Sequence, residues 1–129
     1  MSKRNKIIYW IATAWMALGM LSTGIVQIIR MKEEVDMMTH LGYPAYVLVL
    51  IGIWKILGFI AVLVPRFPLL KEWAYAGFTF VMTGAVFSHL AAGDAAKELF
   101  GPILLLVLIA VSWYLRPADR KLVSVNPNR

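Results

Sequence analysis

The apolar positions of this chain fall into four long blocks, Ile7–Ile29, Ala45–Val64, Trp73–Ala92 and Leu99–Leu115, separated by short stretches that carry most of the charge. Each block is apolar on all sides, the mark of a helix surrounded by apolar material on every face. About 20 helical residues cross a ~30 Å hydrocarbon core, and the first three blocks have that length. The fourth is short by itself, and its helix is expected to begin between Ala95 and Lys97. Gly101 and Pro102 then fall in its early turns, where a missing backbone donor costs least. The pattern predicts one domain over residues 1–129 with spans at about 7–29, 45–64, 73–92 and 97–115. Short connections make neighbouring helices antiparallel. The expected fold is all-α: a polytopic membrane protein built as an antiparallel four-transmembrane-helix bundle.

Two features of the ends and loops modify this picture. The opening "MSKRNK" and the apolar residues after it imitate a secretory signal, but the run to Ile29 exceeds an h-region of roughly 7–15 residues. It is read as a retained first span. The longest connection, "MKEEVDMMTHLG", mixes acids with Val35, Met37, Met38 and Leu41. It fits either a solvated loop or a short amphipathic helix lying over the bundle as a lid.

Composition agrees with the pattern: 60% of the 129 residues are hydrophobic and the mean hydropathy is +0.72. A soluble domain is about 45–50% apolar. No cysteine is present, which excludes disulfides, thiolate metal ligation and cysteine nucleophiles. The net charge of +6 does not point to nucleic acid, because the basic residues flank apolar runs instead of forming a stripe. They set an orientation. Lys3, Arg4, Lys6, Arg66, Lys71, Arg116, Arg120, Lys121 and Arg129 lie on one side, against Arg30, Lys32 and Lys97 on the other. The positive-inside rule then places both termini in the cytoplasm. Tyr9, Trp10, Phe67, Trp73, Trp113 and Tyr114 are expected to mark the inner interface, and Tyr43, Tyr46 and Phe100 the outer one.

One charge lies inside a span. Lys55 stands among Ile53, Trp54, Ile56 and Leu57, ten residues or ~15 Å below the start of its helix. Its stem is too short to snorkel to a surface from there, and lipid exposure would cost at least ~2.5–3.5 kcal/mol. It must face the bundle. Side chains lean toward a helix's N-terminus, so the ammonium should point toward the layer of His89, near the outer end of the third span. Gln27 lies in that layer, Glu33, Glu34, Asp36 and His40 lie on the loop above it, and Asp94 follows the third span. The candidate site is an outward-opening polar cavity with Lys55 at its floor, and Lys55, His89, Gln27, Asp94, Glu33 and His40 as ligand-binding residues. A structural lysine satisfied by neighbouring helices is the competing reading. Gly19, Gly24, Gly52, Gly58, Gly77 and Gly84 read as helix-packing positions, and Thr79, Thr83 and Ser88 as hydroxyls bonded to their own backbone. Two histidines on separate segments give no metal-ligand spacing, so no metal is expected, and no catalytic residue can be named.

The segments "HLGYPAY", "WKILGFIAVLVP", "KEWAYAGFTF" and "SHLAAGD" resemble the DoxX-like family of small bacterial integral membrane proteins, over about residues 40–94. The resemblance implies a four-helix protein of the bacterial inner membrane. It marks Lys55, Gly58, Glu72, Tyr75, Gly77, His89 and Asp94 as family-pattern positions. The wider superfamily includes a membrane subunit of a quinone-linked oxidoreductase, so an enzymatic role, if there is one, would be that of an accessory subunit.

A cationic floor in a dry cavity favours a carboxylate, a sulfur oxyanion or a quinone oxygen. The sequence therefore suggests a binding or redox-accessory protein for a small anionic or quinone-like ligand, with a quinone as the candidate cofactor. A small transporter or channel is the second reading. Four helices make a narrow bundle, which a homodimer would widen. A structural or assembly subunit without ligand is the third.

Overall fold

The computed structural model describes residues 2–121; Arg129 and the polar tail beyond Lys121 lie outside them. Five α-helices form, and no strand is present among the described residues: α1 (Lys3–Ile28), α2 (Lys32–Leu41), α3 (Ala45–Leu63), α4 (Pro68–Ala91) and α5 (Phe100–Tyr114). One-turn 3₁₀ segments precede and follow α5, at Ala96–Leu99 and Ala118–Arg120. Four helical stretches, with the first 3₁₀ turn extending α5, are long and apolar enough to cross a membrane.

Local chemistry sets the helix ends. Ser2 caps α1 by accepting a bond from the Asn5 amide at 3.1 Å, occupying one of the orphan donors of the first turn. Gly42 adopts φ +89° at the end of α2, a left-handed conformation that glycine takes without a Cβ clash. Pro65 holds the preceding Val64 extended (ψ 142°), so α3 stops there. Two consecutive left-handed residues, Arg66 and Phe67, then reverse the chain into α4, with Pro68 at its first position. Helix α4 thus starts ahead of the apolar run at Trp73, and the polar pair Lys71–Glu72 is helical.

The long helices form a closed ring in chain order: α1 packs on α3, α3 on α4, α4 on α5 and α5 on α1. Met16 and Met20 of α1, Val62 of α3, Tyr75, Phe78 and Met82 of α4, and Leu108 and Ile109 of α5 fill the centre. The α1–α3 seam is the tightest. A Cβ added to Gly52 would lie 2.8 Å from the Gly24 carbonyl oxygen, so the backbones themselves touch. The Phe78 ring, a side chain, covers Gly58, whereas Gly77 and Gly84 face open space. Only some of the span glycines are packing positions.

The outer faces of the helices expose large apolar side chains, among them Ile11, Leu18, Leu57, Phe80 and Phe87. Such a belt around the bundle suits hydrocarbon and would be costly in water. Trp10, Phe67, Trp73, Trp113 and Tyr114 are exposed toward the end of the bundle that carries the N-terminus. Tyr9 is not: it is fully buried, turned into the bundle instead of marking an interface.

That same end closes α3 with cations. The Lys71 ammonium donates to the Ala61 carbonyl at 2.8 Å and to that of Val64. The Arg120 guanidinium donates to Val62 at 2.9 Å and Leu63 at 3.3 Å, and lies 4.8 Å from the centre of the Trp10 ring. These carbonyls are the ones a helix leaves without internal partners, and positive charge suits the negative end of its dipole.

Candidate functional site

Lys55 sits at the eleventh position of the 19-residue α3, midway between its ends. It is only 4% exposed. Its stem packs on Gly24 of α1, where any larger residue would push it away. Its ammonium donates to the Thr23 hydroxyl at 3.2 Å, and that hydroxyl donates in turn to the Gly19 carbonyl at 2.7 Å. One of three ammonium donors is thereby used within the protein. Glu34 of α2 is the acid whose charge acts on Lys55. Its Oε2 is buried with no hydrogen-bond partner among the described residues.

Lys55 lines a cavity of about 340 Å³ between α3 and α4, whose wall also includes Gln27, Tyr43, Ser88 and His89. The remainder is apolar, with Met37, Met38 and Leu41 of α2 forming a roof. Gln27 is 6% exposed, and its Oε1 has no partner among the described residues. A buried acceptor left open in this way costs ~1–3 kcal/mol, so the cavity holds an unmet demand for a donor beside an unmet supply from Lys55.

The roof is fastened. Asp94, after α4, receives His40 of α2 (Nε2–Oδ1 2.6 Å) and His89 of α4 (Nδ1–Oδ2 2.7 Å) on its two oxygens. These two bonds hold the Asp94 carboxyl below its ordinary range, the His89 bond first and the His40 bond second. Tyr43 and Ser88 share a bond at 2.7 Å, a second tie between the α2–α3 turn and α4. His89 is thus oriented by Asp94. Glu33 is exposed and lines a shallow outer depression with His40, His89, Asp94 and Glu98, away from Lys55.

Of the residues singled out in the sequence, Lys55, Gln27 and His89 meet in one cavity. Asp94 and His40 support it from outside, and Glu33 stands apart. The sequence offers Tyr43 as an interface marker and Ser88 as a hydroxyl bonded to its own backbone, whereas the two bond each other. Thr23 carries no signal of its own, and Glu34, not Glu33, is the glutamate with a buried oxygen. The two glutamates are adjacent in the chain, and only the helical phase of α2 tells which one faces inward.

A separate buried polar cluster joins α1, α4 and α5. Ser112 bonds Thr13 at 2.6 Å and Tyr75 at 2.7 Å. Toward the terminal end, Glu72 accepts from the Trp113 indole at 2.8 Å and pairs with Arg116 at 2.8 Å. Among the described residues, no group of three His, Cys, Asp or Glu side chains is arranged to hold a metal ion.

A ring of four apolar helices with a Lys55-lined cavity under a short amphipathic helix defines a multi-pass membrane protein of the small helical-bundle kind. A family-wide sequence comparison matches residues 11–112 to the DoxX-like family, which spans the cavity and everything that lines it. The chain belongs to the DoxX-like family. Comparison with curated proteins and with solved structures found no match.

Proposed function

We propose that this DoxX-like protein is a binding or redox-accessory protein of the bacterial cytoplasmic membrane, with both termini cytoplasmic. Its cavity holds a small anionic or quinone-like ligand against Lys55. The observation that carries the reading is the pairing of two groups in one cavity lining that are incomplete among the described residues: Lys55, with donors to spare, and the Gln27 oxygen without a donor. A structural lysine placed only to fix helix register would be expected to satisfy its surroundings fully. An oxygen-bearing ligand that accepts from Lys55 and donates to Gln27 completes both groups. Tyr43, Ser88 and His89 offer further polar contacts across the cavity.

Lys55→Met tests this directly, since methionine has similar length and removes both the charge and its desolvation cost. Protein extracted in mild detergent should carry a bound small molecule in native mass spectrometry. The Met variant should keep its helicity and lose that mass. Equal occupancy in both proteins would make Lys55 structural. Orientation is tested separately, with single cysteines in a chain that has none of its own. A cysteine at Lys121 should be shielded from an impermeant periplasmic reagent and one at Thr39 labelled; the reverse pattern would invert the topology.

A further inference from the structure

The cavity wall continues into a second space. Below Lys55, a crevice of about 330 Å³ runs along the outside of α3 and α4, and Trp54, Lys55 and Val81 belong to both. Past Lys55 it follows Gly58, Ala61 and Gly77 toward Trp73, at the terminal end of the bundle. Lys55 contributes the one charged side chain of that lining. At Gly77 a Cβ would meet nothing within 4 Å, so open space follows the helix backbone itself.

We infer, resting on the binding reading above, that the ligand is a molecule dissolved in the bilayer, with a neutral oxygen-bearing head at Lys55 and Gln27 and a single hydrocarbon tail in the α3–α4 crevice. Three observations select this class over a water-soluble anion. The first is access. The aqueous side of the cavity is covered by α2, tied down through His40–Asp94 and Tyr43–Ser88, while the crevice faces the belt of exposed apolar side chains.

The second is depth. Lys55 is ten residues from one end of α3 and eight from the other, roughly 15 and 12 Å along the axis. The ionic headgroup of a bilayer lipid stays at the interface, and one anchored near Arg66 would bring only its methyl end to the ammonium. A head that rests at mid-depth must be soluble there, hence uncharged. The third is charge. An anion would set a second negative group against the Gln27 oxygen, which is buried without a partner among the described residues and calls for a donor. An uncharged carbonyl oxygen accepts from Lys55 without that repulsion, and the hydroxyl of a reduced, dihydroxy head also satisfies the Gln27 acceptor.

The probes are a decyl-tailed benzoquinone, the same ring without its tail, and decanoate, each added to protein in nanodiscs of fixed lipid composition. Binding is read as saturable quenching of tryptophan fluorescence, with Trp54→Phe locating the signal and decanoate scored by competition. Comparison among protein variants at constant lipid cancels partitioning into the disc. The tailed quinone should bind wild type at least tenfold more tightly than the tail-less ring. Gly77→Leu, which fills the crevice at a position free of protein contacts, should erase most of that difference and leave the tail-less ring within twofold. Gly77→Ala and the melting temperature of the Leu variant control for folding. Decanoate should compete at least tenfold more weakly than the tailed quinone.

If tailed and tail-less rings bind alike and Gly77→Leu changes nothing, or if decanoate competes as well as the tailed quinone, the inference falls. The cavity reading survives in that case provided Lys55→Met still abolishes binding. Loss of neither probe in Lys55→Met would overturn both.

Discussion

Replacing Gly52 by alanine adds one methyl group where there is no room for it. The new Cβ would stand 2.8 Å from the Gly24 carbonyl oxygen and 2.8 Å from Ile28 Cγ1, about 0.6 Å inside the 3.4 Å at which ordinary contact begins. Ile28 can rotate away, but the Gly24 oxygen is backbone and is held by the α1 ladder. Relief requires α1 and α3 to separate, which also loosens Lys55 on Gly24 and the Thr23 bond. Overpacking of this kind costs about 1–3 kcal/mol, or about 3–6 °C per kcal/mol for a domain near this size. Thermal unfolding in detergent, followed by circular dichroism, measures it. Gly84→Ala is the control, since its Cβ meets nothing within 4 Å, and it should melt with wild type. Gly24→Ala presses on the same contact from the other side, so the two costs should not add. A Gly52→Ala protein as stable as Gly84→Ala would refute a backbone-to-backbone seam.

Ser112→Ala removes the shared partner of Thr13 and Tyr75, and should destabilise by about 0.6–2 kcal/mol, the range for hydrogen bonds between membrane helices; an unchanged melting temperature would show that the hydroxyls re-pair. Arg120→Met strips the donors from the Val62 and Leu63 carbonyls and should cost about 1–3 kcal/mol, which Arg120→Lys recovers only in part because one ammonium cannot reproduce the fork; full recovery by lysine would contradict the two-carbonyl geometry. Because the Asp94 carboxyl is held below its ordinary value of 3.8, its contribution is present above that value and is lost only as pH falls through the lowered pKa. Hydrogen exchange in α2 should therefore stay protected at about pH 5 in wild type and be faster in Asp94→Asn even at neutral pH; loss of wild-type protection by about pH 5 would argue against Asp94 as the fastener.

Much of the architecture was legible because a bilayer imposes long, blunt signals: apolar runs of span length, and basic residues between them. Lys55 stood out for the same reason, as one charge where none is cheap. What could not be read depends on how helices face each other. Thr23 looks like any hydroxyl bonded to its own helix, and it does donate to Gly19; its second role, as acceptor for Lys55, appears only when α1 lies on α3. Gly52 and Gly84 are indistinguishable in sequence, yet one is a contact and the other open. Lys71 reads as a loop cation flanking a span, because a buried lysine serving the end of the preceding helix leaves no local trace.

The closure of α3 also bears on how the chain is made. Its last carbonyls face Lys71, which follows within a few residues, and Arg120, which leaves the ribosome only after α5. Until then Val62 and Leu63 present bare acceptors at the membrane edge. The closure of α3 therefore waits on a segment that follows α5. Fusions that displace residues 118–120 should yield inserted but poorly assembled protein, whereas N-terminal fusions should be tolerated.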